Sequence, residues 1–296
     1  MTLLALEIGS STFAVSRVAA DVEADEIRKI PIPSSGAWDR CRDLLLEAAG
    51  GGEVTALGIA SAGPIDMAAG VVAPGEVPEW RTGFAIVDAA RKLFPAAKVQ
   101  LALDGVCQAL AERSFGALNA VADAMVITVS DRISGGVVVG GFTVVGRTGN
   151  AGHVGHVLVP GFDERCVCGG RGCLEAVAGG ASAVRWAREQ GWTGSSVADL
   201  VEAGRAGEAI PAAALGRAGT ALGRAVASVA ALLDMDLVVI GGSMAEGGPA
   251  LWKPLGEAVA THARMSYLPG LRVIPSELGD VAVLAGAGVL AATIEG

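Results

Sequence analysis

Positive charge is scarce in this chain of 296 residues, where 22 lysines and arginines face 31 aspartates and glutamates for a formal charge of −9. That balance opposes the attraction to phosphate backbones on which nucleic-acid binding depends, so no nucleic-acid partner is expected. No apolar run approaches the roughly 20 residues that a bilayer-crossing helix needs, because glycine, charge or turn residues break each one. The opening residues carry neither a basic segment nor a cleavage site, and Glu7 interrupts their apolar run; a cytoplasmic protein with no membrane partner is expected. Aromatic residues are only 4% and charged residues 18%, yet 52% are hydrophobic and 43 are glycine, which fits an Ala/Gly/Val-rich globular fold and excludes disorder or a fibre. There is no low-complexity tract. Cysteines number five, and Cys166, Cys168 and Cys173 fall within eight positions, which points to a metal site more than to disulfides.

The length suits two domains. Strand-like runs at 3–8 and 13–18 flank Gly9-Ser10-Ser11-Thr12, a hairpin linker, and 27–33 offers a third strand. A helix at 38–49, a strand at 56–60, a loop at 61–66, a helix at 84–94, a strand at 99–102 and a helix at 105–115 follow. A second set of strands starts at 124–129, with 135–139 and 143–146 joined through Gly140-Gly141. Helices at 174–190 and 211–233, a strand at 237–240, a helix near 250–262, a strand around 271–274 and a helix at 281–294 complete the pattern. The expectation is an α/β protein of two lobes, 1–117 and 118–296, each with a mixed sheet and with a cleft between them; the last helix packs back on the first lobe.

His156, Cys166, Cys168 and Cys173 supply one imidazole and three thiols, and Gly169, Gly170 and Gly172 let the backbone converge them. A Cys₃His set suits tetrahedral Zn²⁺ in a closed, structural site. Cys41 and Cys107 lie in helical patterns and read as small buried hydrophobes.

The stretches Gly152-His153-Val154-Gly155-His156 and Cys166-Val167-Cys168-Gly169-Gly170-Arg171-Gly172-Cys173-Leu174-Glu175 resemble the signature of the ROK family of repressors, open reading frames and kinases. The likeness extends to Glu7-Ile8-Gly9, to 58–66, to Leu103-Asp104 through Glu112, to Ile240-Gly241-Gly242-Ser243 and to Leu278-Gly279-Asp280. The resemblance implies an actin/hexokinase-like (ribonuclease H-like) fold that moves the γ-phosphoryl of ATP, carried with Mg²⁺, to a hydroxyl of a hexose, amino sugar or cyclitol. It implies Asp104 as general base. It places Glu175, His156, His153 and Gly63 at the sugar, and Glu7, Gly9, Ser11, Arg132, Gly241 and Gly242 on the nucleotide side. It also implies a homo-oligomer. Read alone, Asp104 fits a helix N-cap, Glu175 a first-turn charge and Gly63 a turn residue.

The departures from the family pattern cluster in the chemistry. Glu7 and Ser11 stand for aspartate and threonine in the first phosphate loop, and Ser130-Asp131-Arg132-Ile133-Ser134 replaces the glycine-rich second one. Leu103 replaces an asparagine and His153 a glutamate, changes that disfavour plain glucose. Two readings therefore stand: an active sugar kinase with altered substrate choice, and a catalytically silent carbohydrate-binding regulatory relative with a degenerate ATP site.

Overall fold

The computed structural model describes residues 2–18 and 27–293. The chain forms two compact units, Met1–Asn119 with Thr143–Gly152 and Asp280–Gly296, and Ala120–Phe142 with His153–Gly279.

The first unit runs β1 (Thr2–Ile8), β2 (Thr12–Arg17), β3 (Arg28–Pro31), α1 (Ala37–Ala49), β4 (Val54–Ser61), β5 (Ile65–Asp66), β6 (Val71–Val72), α2 (Ile86–Leu93), β7 (Lys98–Leu103) and α3 (Asp104–Phe115). Its main sheet has the order β3-β2-β1-β4-β7. The β1–β2 and β2–β3 pairs are antiparallel, whereas β1, β4 and β7 run parallel. The hairpin closes where Gly9 donates its N–H to the Thr12 carbonyl at 3.0 Å. Strand β4 is almost wholly buried, as a parallel strand covered on both faces must be. The scarce aromatics are pooled: Trp80 stacks on Phe13 at 5.5 Å and on Phe84 at 4.6 Å. Helix α1 lacks a side-chain cap of its own and takes one from afar, the Glu79 carboxylate accepting the Gly36 and Ala37 amides at 2.9 and 2.8 Å.

The second unit runs β8 (Ala124–Val129), β9 (Ile133–Val139), β10 (Phe142–Val144), a 3₁₀ turn at Val154–His156, α4 (Leu174–Ala178), α5 (Gly180–Glu189), α6 (Val197–Arg205), α7 (Ala209–Leu233), β11 (Leu237–Gly241), α8 (Pro249–His262) and β12 (Arg272–Pro275). Its sheet has the order β10-β9-β8-β11-β12, with β8, β11 and β12 parallel. Helix α9 (Ala282–Ala292) then belongs to the first unit; residue 294, which ends the helix expected at 281–294, lies outside the described residues. Two glycines allow α9 to seat: a Cβ at Gly58 would overlap the Ala287 carbonyl, and one at Gly286 the Cys107 carbonyl of α3.

Three local outcomes differ from the sequence pattern. The helix expected over 174–190 breaks at Gly179, whose ψ of 137° leaves the helical region, and the break admits only glycine, since a Cβ there would stand 2.7 Å from both the carbonyl oxygen and Oε1 of Glu175. Helix α6 was not expected, although Ser196 and Asp199 form a reciprocal capping box at its start. Residues 143–152, beginning with the last two of β10, count with the first unit and not with the lobe expected at 118–296; within them Asn150 accepts the Ile65 amide and donates to its carbonyl, at 2.9 and 2.6 Å. No helix among the described residues is long and apolar enough to cross a membrane.

Candidate active site and metal centre

In the first unit the candidate residues collect at the carboxyl ends of parallel strands, the end at which open α/β sheets bind ligands. Lys29, Ala14, Glu7, Ala60 and Ala102 stand in register across the five strands. Asp104 is the first residue past β7, near enough to Glu7 for its charge to act on that carboxyl. It opens α3, with Leu103 in extended conformation before it, and its Oδ1 accepts the Gly105 N–H at 2.6 Å. Leu103, not Asp104, occupies the N-cap position, and Asp104 is the first helical residue. Leu103, which the family pattern marks as a lost polar contact, is fully buried in the core. Ser11 is exposed at the hairpin tip, Gly9 lies 3.4 Å (from its virtual Cβ) from Glu7 Oε1, and Gly63 is buried at φ 80° with its N–H on Ser61 Oγ at 3.3 Å.

Burial raises the Glu7 carboxyl from 4.5 to about 7, aided by the Asp104 charge, opposed by Lys29 and aided again by Asp280. A proton held more tightly in the folded chain contributes stability below pH 4.5 that is lost as pH rises through about 7. Glu7→Gln is therefore expected to stabilise the protein more at pH 8 than at pH 5, by about 2 kcal/mol. Thermal melts at the two pH values check this, and equal shifts at both would refute it.

In the second unit the turn between β8 and β9 is the hub. Asp131 and Arg132 are exposed, whereas Ile133 is buried and donates its N–H to Glu175 Oε2 at 2.7 Å. Gly242, at φ 87°, leaves no room for a Cβ against the Val129 carbonyl, and the Ser243 N–H reaches Ser130 Oγ at 3.2 Å. Gly241 is the buried last residue of β11. Glu175 is 7% exposed in the first turn of α4. The rings of His153 and His156 lie 5.9 Å apart. Burial, then the neighbouring His156, lowers His153, and burial, then the Arg132 cation, lowers His156. Both imidazoles are thereby held in the neutral form that offers a lone pair.

His156, Cys166, Cys168 and Cys173 bring one donor atom each to within 4.8 Å of one another. Cys166 Sγ lies 3.7 Å from His156 Nδ1, and Cys168 Sγ lies 3.8 Å from Cys173 Sγ. Zn–S bonds of about 2.3 Å and Zn–N bonds of about 2.0 Å at tetrahedral angles demand edges of about 3.6 to 3.8 Å, so the donors fit a zinc ion. Burial pushes the Cys173 thiol up to about 12, and a divalent cation is the partner that would let three thiols ionise side by side. Gly169 (φ 90°) and Gly172 (φ 71°) supply the left-handed turns. Helix α7 braces the loop, a feature the sequence pattern did not reveal: Arg217 pairs with Glu164 and lies over Phe162 and Trp186, and Arg224 donates to the Pro160 carbonyl at 2.6 Å.

The two α/β units share the actin/hexokinase-like fold of solved ROK sugar kinases. A Streptomyces griseus ROK family glucokinase, solved with glucose and AMPPNP, has this fold at TM-score 0.84 and 24% identity, over 99% of this chain and 100% of that one. The ROK family profile matches residues 3–294, and the chain belongs to that family. It is 30% identical to a glucokinase of Thermotoga maritima over 100% of this chain and 99% of the relative. It is 36% identical to a kanosamine kinase of Amycolatopsis mediterranei over 82% and 79%.

Proposed function

We propose that the protein is a sugar kinase, transferring the γ-phosphoryl of ATP to a hydroxyl of a hexose, amino sugar or cyclitol. The observation that carries the reading is Asp104: a carboxylate just past the carboxyl end of β7, one oxygen held by the Gly105 amide, near enough to Glu7 for its charge to raise that carboxyl. The kinase relatives at 30% and 36% identity over most of the chain support it. In this reading Asp104 accepts the hydroxyl proton as the sugar oxygen attacks the γ-phosphorus and ADP leaves. Glu175, His156, His153 and Gly63 bind and orient the sugar. Glu7, Gly9, Ser11, Arg132, Gly241 and Gly242 serve the nucleotide, whose Mg²⁺ neutralises phosphate charge when bound. His156, Cys166, Cys168 and Cys173 hold a structural zinc that fixes the start of α4. A cytoplasmic location and a homo-oligomeric state belong to the same reading on family grounds.

ATP consumption measured across hexoses, amino sugars and cyclitols tests it. Turnover on at least one sugar is the expected result. Silence across the panel, with no nucleotide binding by calorimetry, would overturn it in favour of a carbohydrate-binding regulator.

A further inference from the structure

The turn 130–132 is held from several directions, and one of its holders already has another part in the proposed reaction. Ser130 donates to the Arg132 carbonyl at 3.0 Å. The carbonyls of Ser130 and Asp131 accept the Gly180 and Ala181 amides, at 2.8 and 3.0 Å, where α5 begins. In a trans peptide the C=O and N–H point in opposite directions. With those two carbonyls turned into α5, the amides of Asp131 and Arg132 are aimed away from it. The loop therefore retains backbone donors although its side chains are no longer glycine.

What fixes the far end of the turn is Glu175. Its Oε2 accepts the buried Ile133 amide at 2.7 Å, and the carboxylate fills a slot with glycine walls. A Cβ at Gly179 would lie 2.7 Å from Oε1, and one at Gly155 would lie 3.4 Å from Oε2 and 3.1 Å from the Ile133 carbonyl. A Cβ at Gly179 would thus crowd the carboxylate, whereas one at Gly155 would only touch it. An ionised acceptor on a backbone N–H makes one of the stronger hydrogen bonds a fold can use.

We propose that Glu175 is a positioning residue for the nucleotide, its carboxylate latching the 130–133 turn through the Ile133 amide. The inference rests on the kinase reading for the ligand, but the latch itself is a property of the free protein. Because the same carboxylate is assigned to the sugar, a sugar that engages it reports to the nucleotide loop, and the coupling is reciprocal in binding free energy. A mere sugar contact would leave nucleotide affinity untouched when no sugar is present.

The test combines amide hydrogen exchange of the full chain with calorimetric titration of ATP and Mg²⁺ in the absence of sugar. Glu175→Ala is expected to speed exchange across 130–134 and to weaken nucleotide binding, each by about tenfold, the size of one lost charge-assisted hydrogen bond. Glu175→Gln, whose amide oxygen still accepts, is expected to restore most of both. Gly179→Ala keeps the carboxylate but crowds both its Oε1 and the Glu175 carbonyl oxygen, each 2.7 Å from the new Cβ, and is expected to loosen the same peptides; it decides the matter if Glu175→Ala fails to fold. Wild-type exchange at 130–134 in both Glu175→Ala and Gly179→Ala, with only sugar KM raised, would overturn the proposal. If the wild-type protein binds no nucleotide, the kinase reading falls, and the exchange measurements alone decide the latch.

Discussion

Asp104→Asn is expected to lower kcat by about 10²- to 10⁴-fold while leaving the fold and sugar binding in place, the range that a positioned general base supplies. Asparagine has the same shape and can still accept the Gly105 N–H, which Asp104 Oδ1 takes at 2.6 Å, so the start of α3 is retained. What it cannot do is take the proton of the attacking hydroxyl. Two measurements separate these roles: steady-state turnover, and sugar-dependent thermal stabilisation, which registers binding without chemistry. A variant that turns over within tenfold of the natural protein would remove Asp104 from the reaction. A second signature accompanies the first. The Asp104 charge is among the causes that raise Glu7, so Asp104→Asn lowers the Glu7 carboxyl and narrows the pH dependence of stability.

Zinc removal is expected to be the larger blow to stability. The four donors converge to within 4.8 Å, and the binding energy of such a site is folding energy. Loss of even ~4 kcal/mol lowers Tm by roughly 8 to 16 °C in a domain of 150–250 residues. The damage should concentrate at 157–173, where Arg217, Arg224 and the Arg171–Asp163 pair hold the loop from outside and the four donors converge inside it. Metal analysis should return one zinc per chain. Chelation, or Cys173→Ser, should lower Tm and open this loop to proteases. Purified protein without zinc, or melting that a strong chelator leaves unmoved, would remove the metal from the account.

The parts of this architecture that local chemistry decides are the parts a linear reading reaches. The β1–β2 hairpin follows from two apolar runs about a Gly-Ser linker, and Gly140 and Gly141, at φ 57° and 80°, turn β9 into β10 as their pairing suggests. The cysteine spacing announces the cluster because its ligands are neighbours in sequence. Distant partners stay hidden. Gly179 looks like an ordinary interruption until the Glu175 carboxylate is seen to fill the space beside it. The cap of α1 comes from Glu79, 43 residues from Gly36 in the chain, and Asn150 meets Ile65 across 85 residues. Leu103 reads as a missing polar contact beside Asp104, yet it is a core residue. The capping box of α6, by contrast, is local, its Ser196 and Asp199 standing three residues apart.

The seat of α9 bears on the order in which the chain assembles. Gly58 of β4 and the α3 backbone receive a helix that is synthesised only after all of the second unit. While the ribosome is still producing residues 120–279, the sheet face that carries Gly58 has no α9 to cover it. The unit begun first is therefore finished last, and any break in translation between the two leaves that apolar face open to chaperones and to neighbouring chains.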